Sequence, residues 1–559
     1  MVFLFYDVLA YLFSLPGFTT RDALSFASTC KEYQIKRYGV QFAYECTVAQ
    51  PSSIAFRSFC TSLLIKHNQH PELDGLPSLR RLVVPRLAND AEQTNGEKNV
   101  YDKLLADFFT ELRNRTSCNL LSLSITNVND IWELSATQVA TLSSLKEIDF
   151  RHVTVSELQL FCQDFKSKKE LKLTLGNMMP SNGVPQVLAI IRPLENLTSL
   201  TLIEVEYPRE DAIGPAHQFE LVQELTLEKT QVSMSYMARV FPNVRKLRLR
   251  LENFFDRVYK ATDCWETLEH LDIDMSAFDV WDISGCNVRW LELELLHEEN
   301  GEPIDRKLYE VVLSADIWDK MSPVALTVQM PICPGLLTLA KTLTRCFGGP
   351  SGLKCLELLL WQDLRVRSDH LADEPDDSLD DESDDSLDDE SDDSLDDDLD
   401  DSSAVGVVSQ LMQRMCDVWE PLSGTSLVYF RIYIITAREV DHKELFQALV
   451  EEVRQHLPSV RYVSLGVGPG SETRPFKLKL DPAGNPHWRF VWYRIPEDGS
   501  GPKEMGLNIG DNLRKQMLTP GYDFDKLSTY SSTRSAQQVQ FRGLNLDSDD
   551  DDADSDSDA

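Results

Sequence analysis

Leu197-Thr-Ser-Leu200-Thr-Leu202, Val222-Gln-Glu-Leu225-Thr-Leu227 and Val244-Arg-Lys-Leu247-Arg-Leu249 are three copies of one pattern. In each, an apolar residue and two polar ones precede two apolar residues that alternate with a polar one. Alternation with period two marks a short strand with one buried face. No single copy can bury that face alone, but strands stacked in parallel join their faces into one core. Working outward, the pattern recurs at Leu79–Val84, Leu120–Ile125, Leu145–Phe150, Leu268–Ile273, Val288–Leu293 and Leu353–Leu358. Weaker copies sit at Leu171, Leu326, Phe430 and Val463. The central positions 123, 148, 171, 200, 225, 247, 271 and 291 are separated by 25, 23, 29, 25, 22, 24 and 20 residues.

Helical patterns lie between these strands. Asp102–Arg115 carries Leu104, Leu105, Phe108, Phe109 and Leu112 at helical spacing. Thr154–Lys166 opens on Thr154 and Glu157, a capping-box pair, and Asp441–His456 opens on Asp441 and Glu444. A further pattern spans Val407–Trp419. Strand then helix, repeated at 20–29 residues, resembles leucine-rich repeats. The expected fold class is therefore α/β, a leucine-rich-repeat solenoid of parallel strands alternating with helices. The repeats lack the asparagine that usually follows the second leucine pair.

Ahead of the repeats, Phe5, Val8, Leu9, Leu12 and Phe13 form one apolar helical stripe, ended by Leu15-Pro16-Gly17. Thr19 and Asp22 start a second helix over about residues 20–28, and a third from Cys30 carries Tyr33, Arg37, Val40 and Tyr44. Three short helices make a marginal core alone, so a partner is expected to complete the unit. The stretch Leu4-Phe-Tyr-Asp7-Val8-Leu9, then Leu12, Asp22-Ala-Leu24 and Cys30-Lys31-Glu-Tyr33, resembles an F-box. Phe5 stands where that family has proline, and Tyr33 where it has tryptophan. The resemblance implies that Leu4, Val8, Leu9, Leu12 and Leu24 bind a Skp-type adaptor and, through it, a cullin scaffold. The alternative is that this three-helix head only caps the end of the solenoid. Together the two parts resemble the F-box–leucine-rich-repeat proteins, numerous in fungi.

Composition fits this. The 559 residues carry a net charge of −35, but unevenly. Asp373–Asp401 holds 19 acids and no base, and Asp547–Asp558 another 8. Without them 63 acids face 55 bases, a mildly acidic protein. Nucleic acid and anionic membranes need a basic face, so neither is expected as a partner. The eleven cysteines have no paired spacing, pointing to a reducing compartment rather than disulfides or zinc. Asp7 interrupts the apolar start, and the uncharged run Val8–Thr20 is too short to span a bilayer. A cytoplasmic or nuclear setting follows as the expectation.

In such a solenoid the residues between the leucines share the strand face away from the helices. One expected row is Lys172, Thr201, Thr226, Arg248, Asp272, Glu292, Thr327, Glu357. The second is Thr174, Ile203, Glu228, Arg250, Asp274, Glu294, Gln329, Leu359. Arg248–Asp272 and Arg250–Asp274 are expected as ladder pairs, each worth under ~1 kcal/mol if exposed. Glu292 and Glu294 have no basic neighbour in these rows, so Asp272, Asp274, Glu292 and Glu294 are candidate residues for binding a basic segment of a protein substrate.

The octad Asp376-Asp-Ser-Leu-Asp-Asp-Glu-Ser383 repeats at 384–391. Such a block buries too little apolar surface to order itself, and a solenoid loop can carry it at small entropic cost. Ser378, Ser386, Ser394, Ser548 and Ser555 each precede an acid by three residues, the pattern of acid-directed kinases. Gly466-Val-Gly468-Pro-Gly470-Ser471 reads as a loop rather than a dinucleotide turn. His67 and His70 read as a surface pair, and Phe476–Leu480 with His487–Ile495 as a hairpin capping the C-terminal end. No catalytic, metal or cofactor motif is found.

The expected organisation is a head at 1–50, a solenoid at 51–470 with an acidic insert at 373–401, a cap region at 471–546 and an acidic tail at 547–559. The expected function is substrate recognition for a Skp–cullin–F-box ubiquitin ligase, without catalysis of its own. The alternative is an acidic scaffold that binds histones or other basic proteins.

Overall fold

The structure, a computed structural model, describes residues 81–84, 95–114, 120–126, 137–165, 169–178, 183–205, 217–230, 234–250, 265–274, 285–295, 321, 323–332, 335–348, 352–361, 412–413, 415–436, 442–469 and 489–524. The F-box-like head, with Leu4, Val8, Leu9, Leu12 and Leu24, and both acidic tracts lie outside the described residues.

The described part is α/β. Fifteen strands form one sheet in chain order, so each strand pairs with its sequence neighbours. They are β1 (Arg81–Val84), β2 (Ser122–Thr126), β3 (Glu147–Arg151), β4 (Leu171–Gly176), β5 (Leu197–Ile203), β6 (Glu224–Glu228), β7 (Lys246–Arg250), β8 (Thr267–Asp274), β9 (Asn287–Glu294), β10 (Ala325–Pro331), β11 (Cys355–Trp361), β12 (Tyr429–Thr436), β13 (Tyr462–Pro469), β14 (Arg489–Arg494) and β15 (Lys503–Met505). Pairing is parallel from β1 to β13. The central apolar residue of every segment with the leucine pattern, weak copies included, lies in one of these strands. Helices alternate with them: α1 (Asn95–Asn114), α2 (Val155–Asp164), α3 (Gly183–Ile191), α4 (Met234–Val240), α5 (Gly335–Phe347) and α6 (His442–His456), followed at the end by α7 (Leu507–Leu518). The capping box of α2 is formed, with Thr154 N–H donating to Glu157 Oε2 at 2.7 Å and Glu157 N–H to Thr154 Oγ1 at 3.3 Å.

The central apolar positions fall in register across the sheet: Leu82, Leu123, Ile148, Leu173, Leu200, Leu225, Leu247, Leu271, Leu291, Leu326, Leu356, Phe430 and Val463. All thirteen are at most 2% exposed and share one core with buried helix residues such as Phe161, Val187, Met237, Leu343 and Leu449. One position is corrected. The repeat assigned to Leu171 is centred on Leu173, which pairs in register with Ile148 on β3 and Leu200 on β5, while Leu171 takes the leading position opposite Leu197 across a register shift in the β4–β5 pair.

Two further expectations change. Gly466-Val-Gly468-Pro469 is no loop but the end of β13. A Cβ on Gly466 would lie 2.7 Å from Tyr433 and 2.8 Å from Phe490, so only glycine lets these rings close over the strand. The hairpin is also different. β14 runs antiparallel to β13 on one side and to β15 on the other, while Phe476–Leu480 lies outside the described residues. The expected cap region thus extends the sheet itself.

The link that stands in for the missing asparagines is in the backbone. His152, Asn177, Glu204 and Lys229, each one residue past a strand, adopt left-handed φ of 49–57°. Each donates its N–H to the last carbonyl of the next strand: Gly176, Ile203, Glu228 and Arg250, at 2.7–2.9 Å. Left-handed geometry costs a non-glycine residue of order 1–2 kcal/mol, and an inter-repeat hydrogen bond at each of these four strand exits offsets it. At the strand entries, Ser144 Oγ donates to Leu120 O, Asn243 Nδ2 to Glu220 O and Trp265 Nε1 to Phe241 O, at 2.7–2.8 Å, tying each turn to the repeat before it.

Candidate recognition surface

The strand positions between the buried leucines form the sheet's second face. Its central row, read from the register, is Ser124, Asp149, Thr174, Thr201, Thr226, Arg248, Asp272, Glu292, Thr327, Glu357, Arg431 and Ser464. With Leu173 as the central residue of β4, Thr174 falls in this row and Lys172 in the row before it, beside Glu147 and Ser199. Lys172 and Lys246 reach Glu224 at 3.6 and 2.7 Å. Burial works against ionisation of Glu224, but the hydrogen bond and charge of Lys246 and the charge of Lys172 hold its carboxyl below the usual range.

The four candidate residues Asp272, Asp274, Glu292 and Glu294 do come together, on adjacent strands β8 and β9. Their surroundings differ from expectation. Arg248 Nε lies 3.3 Å from Asp272 Oδ2, as the ladder predicts. Arg250, in contrast, directs Nη2 at Asp272 Oδ1 (2.5 Å) and Glu294 Oε2 (2.8 Å), bridging one and two strands away. An arginine side chain is long enough to cross strands spaced ~4.8 Å apart, which adjacent-row pairing ignores. Glu292 also has partners. Gln329 Nε2 donates to its Oε1 at 3.0 Å, and His270 Nε2 lies 3.5 Å from Oε2. The reading that Glu292 and Glu294 lack basic neighbours is therefore overturned.

Burial matters as much as charge here. Asp272, Asp274 and Glu294 are 6–8% exposed. Burial, with the Glu292 charge, raises the Asp272 carboxyl despite Arg250 and Arg248. Burial pushes Glu294 up to about 7, opposed by Arg250 and reinforced by Asp272 and Asp274. Burial opposes the charge of Glu292, but its contact with His270 and the charge of Arg250 outweigh it and hold the carboxyl low. Five carboxylates (Glu228 and these four) thus surround two guanidiniums, an excess of negative charge set into the sheet.

A second cluster lies further along the same row and was not expected from the sequence. Arg514, on α7, donates Nε to Glu357 Oε1 (2.5 Å) and Nη2 to Oε2 (2.7 Å), a bidentate pair. Arg431 Nη1 stands 3.6 Å from the same carboxylate and Thr327 Oγ1 donates to it at 3.2 Å. Burial opposes the charge of Glu357, yet Arg514 and Arg431 bring its carboxyl down to about 2. Trp290 donates Nε1 to Thr327 at 3.1 Å, stacks on His270 at 4.0 Å and takes the Arg514 guanidinium over its ring at 5.5 Å. The two clusters are therefore continuous through Trp290. The sequence did hold a signal for α7: Gly510, Leu513, Met517 and Leu518 fall on one helical stripe.

No group of three or more His, Cys, Asp or Glu among the described residues is placed to hold a metal ion. Burial raises the thiols of Cys162 (to about 12) and Cys355, leaving both unreactive near neutrality. No described helix is long and apolar enough to cross a membrane. No protein-family model matches the chain, and no curated protein matches it in sequence.

Proposed function

We infer that this chain is a leucine-rich-repeat solenoid carrying an F-box-like head, and that it serves as the substrate-recognition subunit of a Skp–cullin–F-box ubiquitin ligase. The observation that carries the reading is the run Leu4–Tyr33, whose Asp7, Val8-Leu9, Leu24 and Cys30-Lys31 follow the F-box order. The regular stack of parallel strands behind it supports the second half, since such a sheet offers one long face to a protein partner. In this reading Leu4, Val8, Leu9, Leu12 and Leu24 dock the adaptor, the cullin follows, and the second face positions a target. Catalysis belongs to the partner enzymes, and the complex works in the cytoplasm or nucleus. Co-purification of the full chain with a Skp-type adaptor tests it: wild type retains the adaptor and Leu9→Asp/Leu12→Asp does not. Absence of adaptor from the wild type refutes it.

One observation favours a second reading. The 19 and 8 acids of the two tracts are concentrated charge suited to histones or other basic proteins. An acidic scaffold of that kind needs no adaptor, so the same co-purification, with histones beside the adaptor, separates the two.

A further inference from the structure

α7 occupies the sheet's second face over the C-terminal strands. Met517, with Leu513 and Leu518, packs on Ala325, Cys355, Tyr429 and Tyr462, and Gly510 lies against the Trp492 ring. Yet it is lightly held. Only Gly510 and Met517 of its twelve residues are buried, against five on the packed face of α6. Its N-cap, Gly506, provides no side-chain hydrogen bond, and Leu507 and Ile509 stay 37% and 46% exposed. The strands along this end of the face keep polar atoms without hydrogen-bond partners: Tyr429 Oη, Arg431 Nε and Ser464 Oγ. A buried polar atom left unpaired is destabilising, so α7 is an imperfect occupant. Its departure would not strand Glu357, which keeps Arg431 and Thr327.

We propose that α7 is an intramolecular stand-in for a partner helix, and that the face beneath it is a binding surface for an amphipathic helix bearing an arginine one turn before an apolar pair, as Arg514, Met517 and Leu518 do. Tyr429, Tyr462, Trp492 and Arg431 are the residue types that dominate binding energy at interfaces. Glu357 is a ready acceptor for the partner's guanidinium. The excess carboxylates around Asp272 and Glu294, continuous with it through Trp290, favour a helix with further basic residues. The inference rests on the second face being the recognition face and is independent of adaptor docking.

The test uses the full chain and a fluorescent peptide of residues 506–524. A Cβ on Gly510 would come within 2.2 Å of Trp492, so Gly510→Leu unseats α7. The peptide is expected to bind the Gly510→Leu chain and not the wild type. Adding Glu357→Gln to the chain, or Arg514→Glu to the peptide, is expected to weaken binding at least tenfold. No binding to a Gly510→Leu chain with unchanged circular dichroism overturns the proposal. Hydrogen exchange on the wild type decides the matter if that variant fails to fold. α7 amides are expected to exchange at least tenfold faster than those of β12 and β13, and equal protection overturns the proposal. Either failure leaves co-purification with the adaptor untouched, so the two readings fall separately.

Discussion

Glu357→Gln is the substitution whose effect the structure fixes most closely. Glu357 is 2% exposed and shared by Arg514 and Arg431. These guanidiniums, against the opposing effect of burial, bring its carboxyl from an ordinary 4.5 to about 2. At about 1.4 kcal/mol per tenfold change in proton affinity, that difference is worth roughly 3 kcal/mol of folding stability at neutral pH. Because the folded value is depressed, the contribution is complete above the ordinary value and drains away as the pH falls toward about 2. Glutamine keeps the shape but leaves the buried Arg431 and the partly buried Arg514 facing each other without their counter-charge, and breaking a buried pair in this way costs about 3–5 kcal/mol. Urea unfolding followed by tryptophan fluorescence should therefore show Glu357→Gln less stable by about 3 kcal/mol at neutral pH. The gap should shrink to less than half near pH ~3, where the carboxyl of the unfolded chain is already protonated. A neutral-pH loss under about 1 kcal/mol, or a gap that does not change with pH, refutes the account of this cluster.

Glu294 predicts the opposite pH trend. Its carboxyl is raised to about 7, so stability present at low pH is lost as the pH rises through neutrality, and Glu294→Gln should be more stable than wild type near pH ~8 by about 1–3 kcal/mol in the same titration. Leu247→Ala removes a side chain that is 1% exposed at the centre of the stack and should cost about 2–5 kcal/mol in thermal or urea unfolding. Thr154→Ala breaks the capping box of α2 and should cost about 1 kcal/mol, with faster hydrogen exchange confined to the first turn of that helix.

Much of the sheet was legible because its signal is local. Alternating leucines at a repeating distance determine which residues are buried and which strands are neighbours, and the central apolar residue of every such segment lies in a strand. The error at β4 has a definite cause: Leu171, Leu173 and Leu175 alternate over five residues, so two registers satisfy the same pattern, and pairing with Ile148 and Leu200 selects the later one. Gly466 misled for a different reason. Its glycines look like a loop until Tyr433 and Phe490 are known to close over it. The left-handed strand exits carry His, Asn, Glu and Lys, residues with no shared chemistry, so only the backbone reveals them. The candidate carboxylates were found, but their partners were not. Arg250 reaches two strands away, and Arg514 arrives from 157 residues down the chain. Neither distance is visible to a rule that pairs adjacent rows.

The most direct test of the account is titration calorimetry of a purified Skp-type adaptor into the full chain at physiological salt. The account predicts equimolar, sub-micromolar binding that disappears in Leu9→Asp/Leu12→Asp while the circular dichroism of the chain is unchanged. Absence of binding by the wild type, or equal binding by the double variant, contradicts it.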